Sequence, residues 1–208
     1  MMRFRVFARF IGLGCVGSSY RELFGPDIAF QKRGNTPYIP GSSFKGALRS
    51  AASRVAKPYG FTACGQIRPE RMQPCDVCRL FGTPAGHPTL LVEDLIPTKD
   101  LSRVIVTRVK INDSSLKAEE GALYSQEHVC GGEFEGRILV LRPERRLLGL
   151  LLLALAELRS GRVGRNSIVD LKIGETEELR REVEERYVQL ERELESWLWE
   201  KVLGEGEM

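Results

Sequence analysis

Residues 2 to 12 alternate in character, with Phe4, Val6, Ala8 and Phe10 on one face and Arg3, Arg5, Phe7 and Arg9 on the other. A period of two predicts a half-buried strand with a basic outer face. From Gly12 to Gly41 neither period persists and Gly, Pro, Ser and Asn are frequent, which predicts a long loop of functional kind. Pro40-Gly41 closes it, and Ser42 or Ser43 is placed to cap a helix reaching about Lys57. The apolar face of that helix is Phe44, Ala47, Leu48, Ala51, Ala52 and Val55.

Residues 58–88 are irregular and carry five prolines. Strands are expected at 89–96 and 103–111, and again at 122–130 and 133–141, the last two joined as a hairpin by Gly131-Gly132. Pro143 opens a helix to about Arg159, followed by a glycine-rich basic loop at 160–166 and a strand from Ile168 to Ile173. From Thr176 to Leu203 apolar residues recur every three or four positions, predicting one long amphipathic helix of about 40 Å. The order suggests an α+β, ferredoxin-like β-α-β-β-α-β core in a single domain over 1–208.

Composition narrows the class. A chain of 208 residues with 42% hydrophobic content can bury a proper core, which excludes a disordered chain and a disulfide-dependent miniprotein. The apolar run Leu147 to Leu158 is shorter than the roughly 20 residues a membrane span needs, and Arg3, Arg5 and Arg9 break any secretory pattern. The expectation is a cytoplasmic protein without membrane contact. The net charge of +3 hides an excess of 23 Arg over 8 Lys, which suits phosphate contact or a thermophile's charged surface, and an acidic stretch from Glu175 to Glu200 that leaves the remainder more basic.

Cys75-x-x-Cys78 has the spacing of a zinc knuckle, and Cys64 and His87 would complete a Cys₃His site, with Cys130 as the competing fourth ligand. Such a metal would order a segment poor in apolar residues; unligated structural cysteines and redox chemistry are the alternatives. Asp27 is a loop acid that can hold Mg²⁺ or orient a 2′-hydroxyl, or simply form a turn. Gly161, Arg162, Gly164 and Arg165 form a loop whose backbone can approach a phosphate, or a helix cap with exposed arginines. Joined to Lys45, Arg49 and the basic face of the first strand, that loop would make one positive surface for a single nucleic-acid strand. His128 stands without a second base and reads as packing or surface.

The string Tyr38-Ile-Pro-Gly-Ser-Ser-Phe-Lys-Gly-Ala-Leu-Arg49 resembles the signature of the RAMP superfamily of CRISPR-associated proteins, above all the backbone subunits of type III effector complexes. Cys75 to Gly82, the stretch Gly121 to Gly136 and the glycine loop at 161–165 resemble later landmarks of that family in the same order. The resemblance implies an RRM-like core that assembles side by side along a CRISPR RNA, with Ser42, Ser43, Lys45, Arg49 and the glycine loop on the guide. It also implies a hairpin thumb, placed at about 107–134, and cleavage of target RNA with Mg²⁺ or another divalent metal at a loop acid. Asp27 matches that acid, with Glu22 as fallback. A catalytically inactive structural subunit and a repeat-processing endoribonuclease are the other readings within the family.

Overall fold

Alternation in the first ten residues gives β1 (Met2–Ile11), whose even-numbered side chains are buried and whose odd-numbered ones lie on the far side of the sheet. This is a computed structural model, and it describes residues 1–18, 24–66, 68–83, 86, 88–165 and 167–203. After β1 come β2 (Leu13–Gly14), β3 (Lys32–Arg33) and β4 (Thr36–Pro37), then α1 (Gly41–Val55) and α2 (Asp76–Phe81). β5 (Leu90–Val92), β6 (Ile96–Pro97), β7 (Ser102–Ile111), β8 (Ala118–Cys130) and β9 (Glu133–Val140) precede α3 (Arg145–Leu158). β10 (Ile168–Gly174), α4 (Glu177–Glu182), α5 (Val188–Leu194) and α6 (Leu198–Leu203) complete the chain.

The fold is α+β with antiparallel sheets. The main sheet has the order β10-β1-β9-β5, and β6 adds to β9 beyond β5. Val6 pairs with Ile173 on one side and Gly136 on the other, so β1 is central. α1 and α3 pack side by side on the face bearing Phe4, Val6, Ala8 and Phe10. Every residue of α3 from Leu147 to Leu155 is buried, as befits a helix apolar all round, and each leucine there contributes roughly 1.5–3 kcal/mol gross.

The same alternation separates the candidate basic groups. α1 lies on one face of the sheet, whereas Arg5 and Arg9 project from the other, so they do not join Lys45 and Arg49 in one positive surface. Acids already meet them there. Arg5 pairs with Glu135 at 3.1 Å and with Glu175, and Arg9 with Glu200 at 2.7 Å and the fully buried Asp170 at 3.6 Å.

Gly131-Gly132 does not make the expected hairpin. β8 pairs with β7 and β2, while β9 pairs with β1, β5 and β6, so the two glycines, both at positive φ, carry the chain from one sheet to the other. The alternate residues Phe134, Ile138 and Val140 belong to the main core, which draws β9 away from β8. The hairpin is instead β7–β8, residues 102–130, a few residues earlier than the thumb expected at 107–134. Its turn is set by Asn112, whose side chain accepts from the N–H groups of Ser114 and Ser115, and by Leu116 at φ 54°.

The long C-terminal helix is also corrected. Val183 and Glu184 are extended, with ψ of 153° and 142°, which divides the segment into α4 and α5, and α6 follows Trp197. A straight helix would carry Tyr187 away, whereas the bend lays its ring against Gly149 of α3, where a Cβ would overlap it. Arg180 then binds Glu191 through two contacts of 2.8 and 3.0 Å, joining α4 to α5. Trp197 reaches the outer side of the sheet, beneath Arg9 and Lys172 at 4.3 and 4.7 Å from its ring.

Candidate nucleic-acid interface

β1 ends, β9 and β10 begin, and the hairpin departs at one end of the main sheet. The long loop is fastened there piece by piece. Gln31 N–H donates to Val16 O at 2.7 Å, Ser18 N–H to Ala29 O at 2.8 Å, and Ile28 bridges Gln126 of β8 in parallel sense. Asp27 stands at this root with an exposed side chain. Ser125 donates to its Oδ2 from both the backbone N–H at 2.8 Å and the hydroxyl at 2.9 Å. Glu22, the alternative acid, lies outside the described residues.

The glycine loop meets the same place. Arg165 N–H donates to Cys15 O at 2.7 Å, and Gly164, at φ 83°, lies so close that a Cβ would overlap that carbonyl. A Cβ at Gly17 would stand 3.1 Å from Ile28 Cγ2 and 3.9 Å from Arg165 Nε, so the acid-bearing segment of the long loop and the glycine loop flank one glycine. Arg162 and Arg165 are exposed, and Gly161 is half-buried.

α1 starts at Gly41 on Pro40, and neither Ser42 nor Ser43 caps it. Asp94 takes that role from another element, accepting Gly41 N–H at 2.8 Å while holding Arg33 at 2.7 Å. Ser42, Ser43, Gly46 and Ser50 are exposed along the helix, and nothing lies within 4 Å of where a Gly46 Cβ would be. Lys45 and Arg49 turn inward. Lys45 Nζ donates to Leu90 O at 2.7 Å, and burial, then the neighbouring Arg49, lowers its pKa. Arg49 donates to Gly82 O at 2.8 Å and to Cys78 Sγ at 3.2 Å.

That last bond leads to the cysteines. Cys75 N-caps α2, its sulfur accepting from Cys78 N–H at 3.4 Å, so a short helix starts within the Cys-x-x-Cys pair and contains Cys78, in a stretch expected to be irregular. Cys64 Sγ lies 3.6 Å from Cys78 Sγ, and the three sulfurs all stand within 4.8 Å of one another. Backbone amides of Gln66 and Gln73 bring Cys64 down to about 7. Burial, and then the adjoining thiols, push Cys78 up to about 12. Three converging thiols backed by a guanidinium form a group able to hold a metal, and the donor set suits a tetrahedral soft cation such as zinc. His87 lies outside the described residues, and Cys130, exposed at the end of β8, is not in the group. Asp27 belongs to no group of three or more metal-ligating side chains among the described residues.

His128 is fully buried on β8, and neither ring nitrogen has a partner among the described residues. Burial, then Arg108, lowers its pKa from 6.5. Above that value folded and unfolded chains both carry it neutral; below it the unfolded chain takes the proton first, so stability falls with pH. The melting temperature is expected to drop from pH 7 to 5, as this proton lowers the unfolding free energy by at most about 1.4 kcal/mol per pH unit. His128→Phe should flatten that slope in a thermal melt, and an unaltered slope would assign it to other groups.

The fold and site define an antiparallel α+β protein with a protruding hairpin, a thiol group and a loop cluster bearing Asp27 and two exposed arginines. The family model described as the RAMP superfamily matches residues 23–199, and the chain belongs to that superfamily of CRISPR-associated, RNA-binding proteins. No curated protein matches it. None of the helices is long and apolar enough to cross a membrane among the described residues.

Proposed function

We propose that this chain is a backbone subunit of a type III CRISPR effector complex, with a ferredoxin-like, RRM-like core that holds a segment of CRISPR RNA and cuts paired target RNA at Asp27. The observation that carries the reading is the convergence of Asp27, the hairpin root and the glycine loop at one end of the sheet. The sheet order, with β1 between β10 and β9 and β5 outermost, supports the core assignment. Copies of the chain would assemble side by side along the guide, in contact with other subunits of the complex, in the cytoplasm.

Guide RNA would run past Ser42, Ser43, Gly161, Arg162, Gly164 and Arg165. The contacts are to phosphates and sugars, because a subunit that serves every guide leaves sequence to base pairing. The open face at Gly46 suits close approach of a backbone. Lys45 and Arg49, engaged with the carbonyls of Leu90 and Gly82, contribute charge beside that path. The hairpin would enter between guide and target and set one nucleotide out of the stack.

At that nucleotide the 2′-oxygen forms a bond to the adjacent phosphorus as the bond to the 5′-oxygen breaks. Asp27 accepts the 2′-hydroxyl proton, solvent water supplies a proton to the departing 5′-oxygen, and the products are a cyclic phosphate and a 5′-hydroxyl. A cut using His128 is disfavoured because that ring is fully buried. Zinc is the metal proposed for Cys64, Cys75 and Cys78, with the fourth ligand from the neighbouring segment that contains His87; when bound it would hold the thiolates together.

In the assembled complex, Asp27→Ala should abolish cleavage of complementary RNA while target binding persists. Unchanged fragments would remove Asp27 from the reaction. Loss of cutting in the variant would at the same time exclude the purely structural subunit.

A further inference from the structure

Asp27 meets one residue of the hairpin through three hydrogen bonds. Ser125 Oγ accepts the Asp27 N–H at 3.0 Å and donates to Asp27 Oδ2 at 2.9 Å, while Ser125 N–H donates to the same oxygen at 2.8 Å. One hydroxyl thus fills its donor and one acceptor position on a single partner. The fastening continues on both sides. Ile28 N–H donates to Ser125 O at 3.0 Å, and Glu127 N–H to Ile28 O at 2.8 Å. Glu127, on the same face of β8 as Ser125, accepts Phe30 N–H at 3.0 Å and pairs with Lys32 at 2.9 Å. The loop is therefore clipped to the arm as well as bonded to itself.

We propose that Ser125 is a positioning residue that couples the hairpin to Asp27, so that cleavage answers to how the guide–target duplex seats against the arm. The inference rests on the reading of Asp27 as the cleaving acid. Two donors hold Oδ2 in place, and both belong to β8. Any rotation or shift of the hairpin root carries the carboxylate with it. The rest of the hairpin is free to respond: Val104, Ile105, Val109, Ile111 and Leu123 are exposed along it, with no core of their own to hold it rigid. A duplex pressed on the arm would then set the acid, and an empty arm would leave it out of line.

Ser125→Ala removes only the hydroxyl and leaves the backbone bonds to Asp27 and Ile28, so the fold is retained. In the assembled ribonucleoprotein, single-turnover cutting of complementary RNA should slow by about tenfold or more, with target affinity unchanged. Ser125→Thr, which keeps the hydroxyl, should stay within about threefold of wild type, and adding Ser125→Ala to Asp27→Ala should change nothing further. Wild-type cutting by Ser125→Ala with Asp27→Ala inactive would overturn the coupling alone. Equal losses of rate and affinity, or a Thr variant as slow as Ala, would also overturn it. Wild-type cutting by Asp27→Ala would overturn the reading of the acid and the coupling with it.

Discussion

Cys78→Ser is expected to release about one metal ion per chain and to lower the unfolding free energy by several kcal/mol, more than about 3. Cys78 is the centre of its group: its sulfur lies 3.6 Å from that of Cys64 and 3.2 Å from an Arg49 nitrogen, and its N–H donates to Cys75. The segment around it has few other means of order. Apart from α2 and one short 3₁₀ turn it lacks regular structure from Phe61 to Pro88 among the described residues, and much of its contact with the core comes through Val77, Leu80 and Phe81. Elemental analysis of purified protein and thermal melts with and without a strong chelator measure both effects. A metal-free wild type as stable as the loaded one would remove the staple.

Gly164→Ala is expected to cost about 2–4 kcal/mol, against a much smaller loss for Gly161→Ala. Two costs add at Gly164. Its φ of 83° is unfavourable to any side chain, and a Cβ would overlap the backbone carbonyl of Cys15, which cannot swing aside as a flexible side chain would. Relief requires the glycine loop to separate from residues 15–17 and to break the Arg165 to Cys15 bond of 2.7 Å. At Gly161 the nearest atom is the terminal Leu158 Cδ1 at 3.0 Å, and φ is not positive. Denaturant unfolding of the two variants decides it, and equal midpoints would show that the loop yields at Gly164.

The elements read most directly from sequence are those whose periods answer to a single core. β1, α1 and α3 bury the faces their spacing marks, and Cys64, Cys75 and Cys78 gather as their spacing suggests. Elsewhere local signals had several three-dimensional solutions. Gly131-Gly132 supplies positive φ for a hairpin and for a change of sheet alike, and only the pull of Phe134 and Ile138 into the main core decides. Residues 179, 183, 187, 190 and 194 fit one helix or a bent pair, and α3 selects the pair by taking Tyr187 at Gly149. Lys45 and Arg49 carried no sign that carbonyls of Leu90 and Gly82 awaited them, nor did Ser42 and Ser43 show that Asp94 would cap their helix. The link between Asp27 and Ser125 spans 98 positions and has no local pattern at all.

The pairing of β1 with β10 also sets a schedule for synthesis. β1 leaves the ribosome well before either of its neighbours, and it finds one in β9 and the other only when Ile168 to Gly174 emerge. At ordinary translation speeds the stretch from Val140 to Gly174 takes roughly two to seven seconds. Throughout it one margin of the nascent sheet stands open, with Phe4, Val6 and Phe10 beneath, so the growing chain is most vulnerable to aggregation before its last strand arrives.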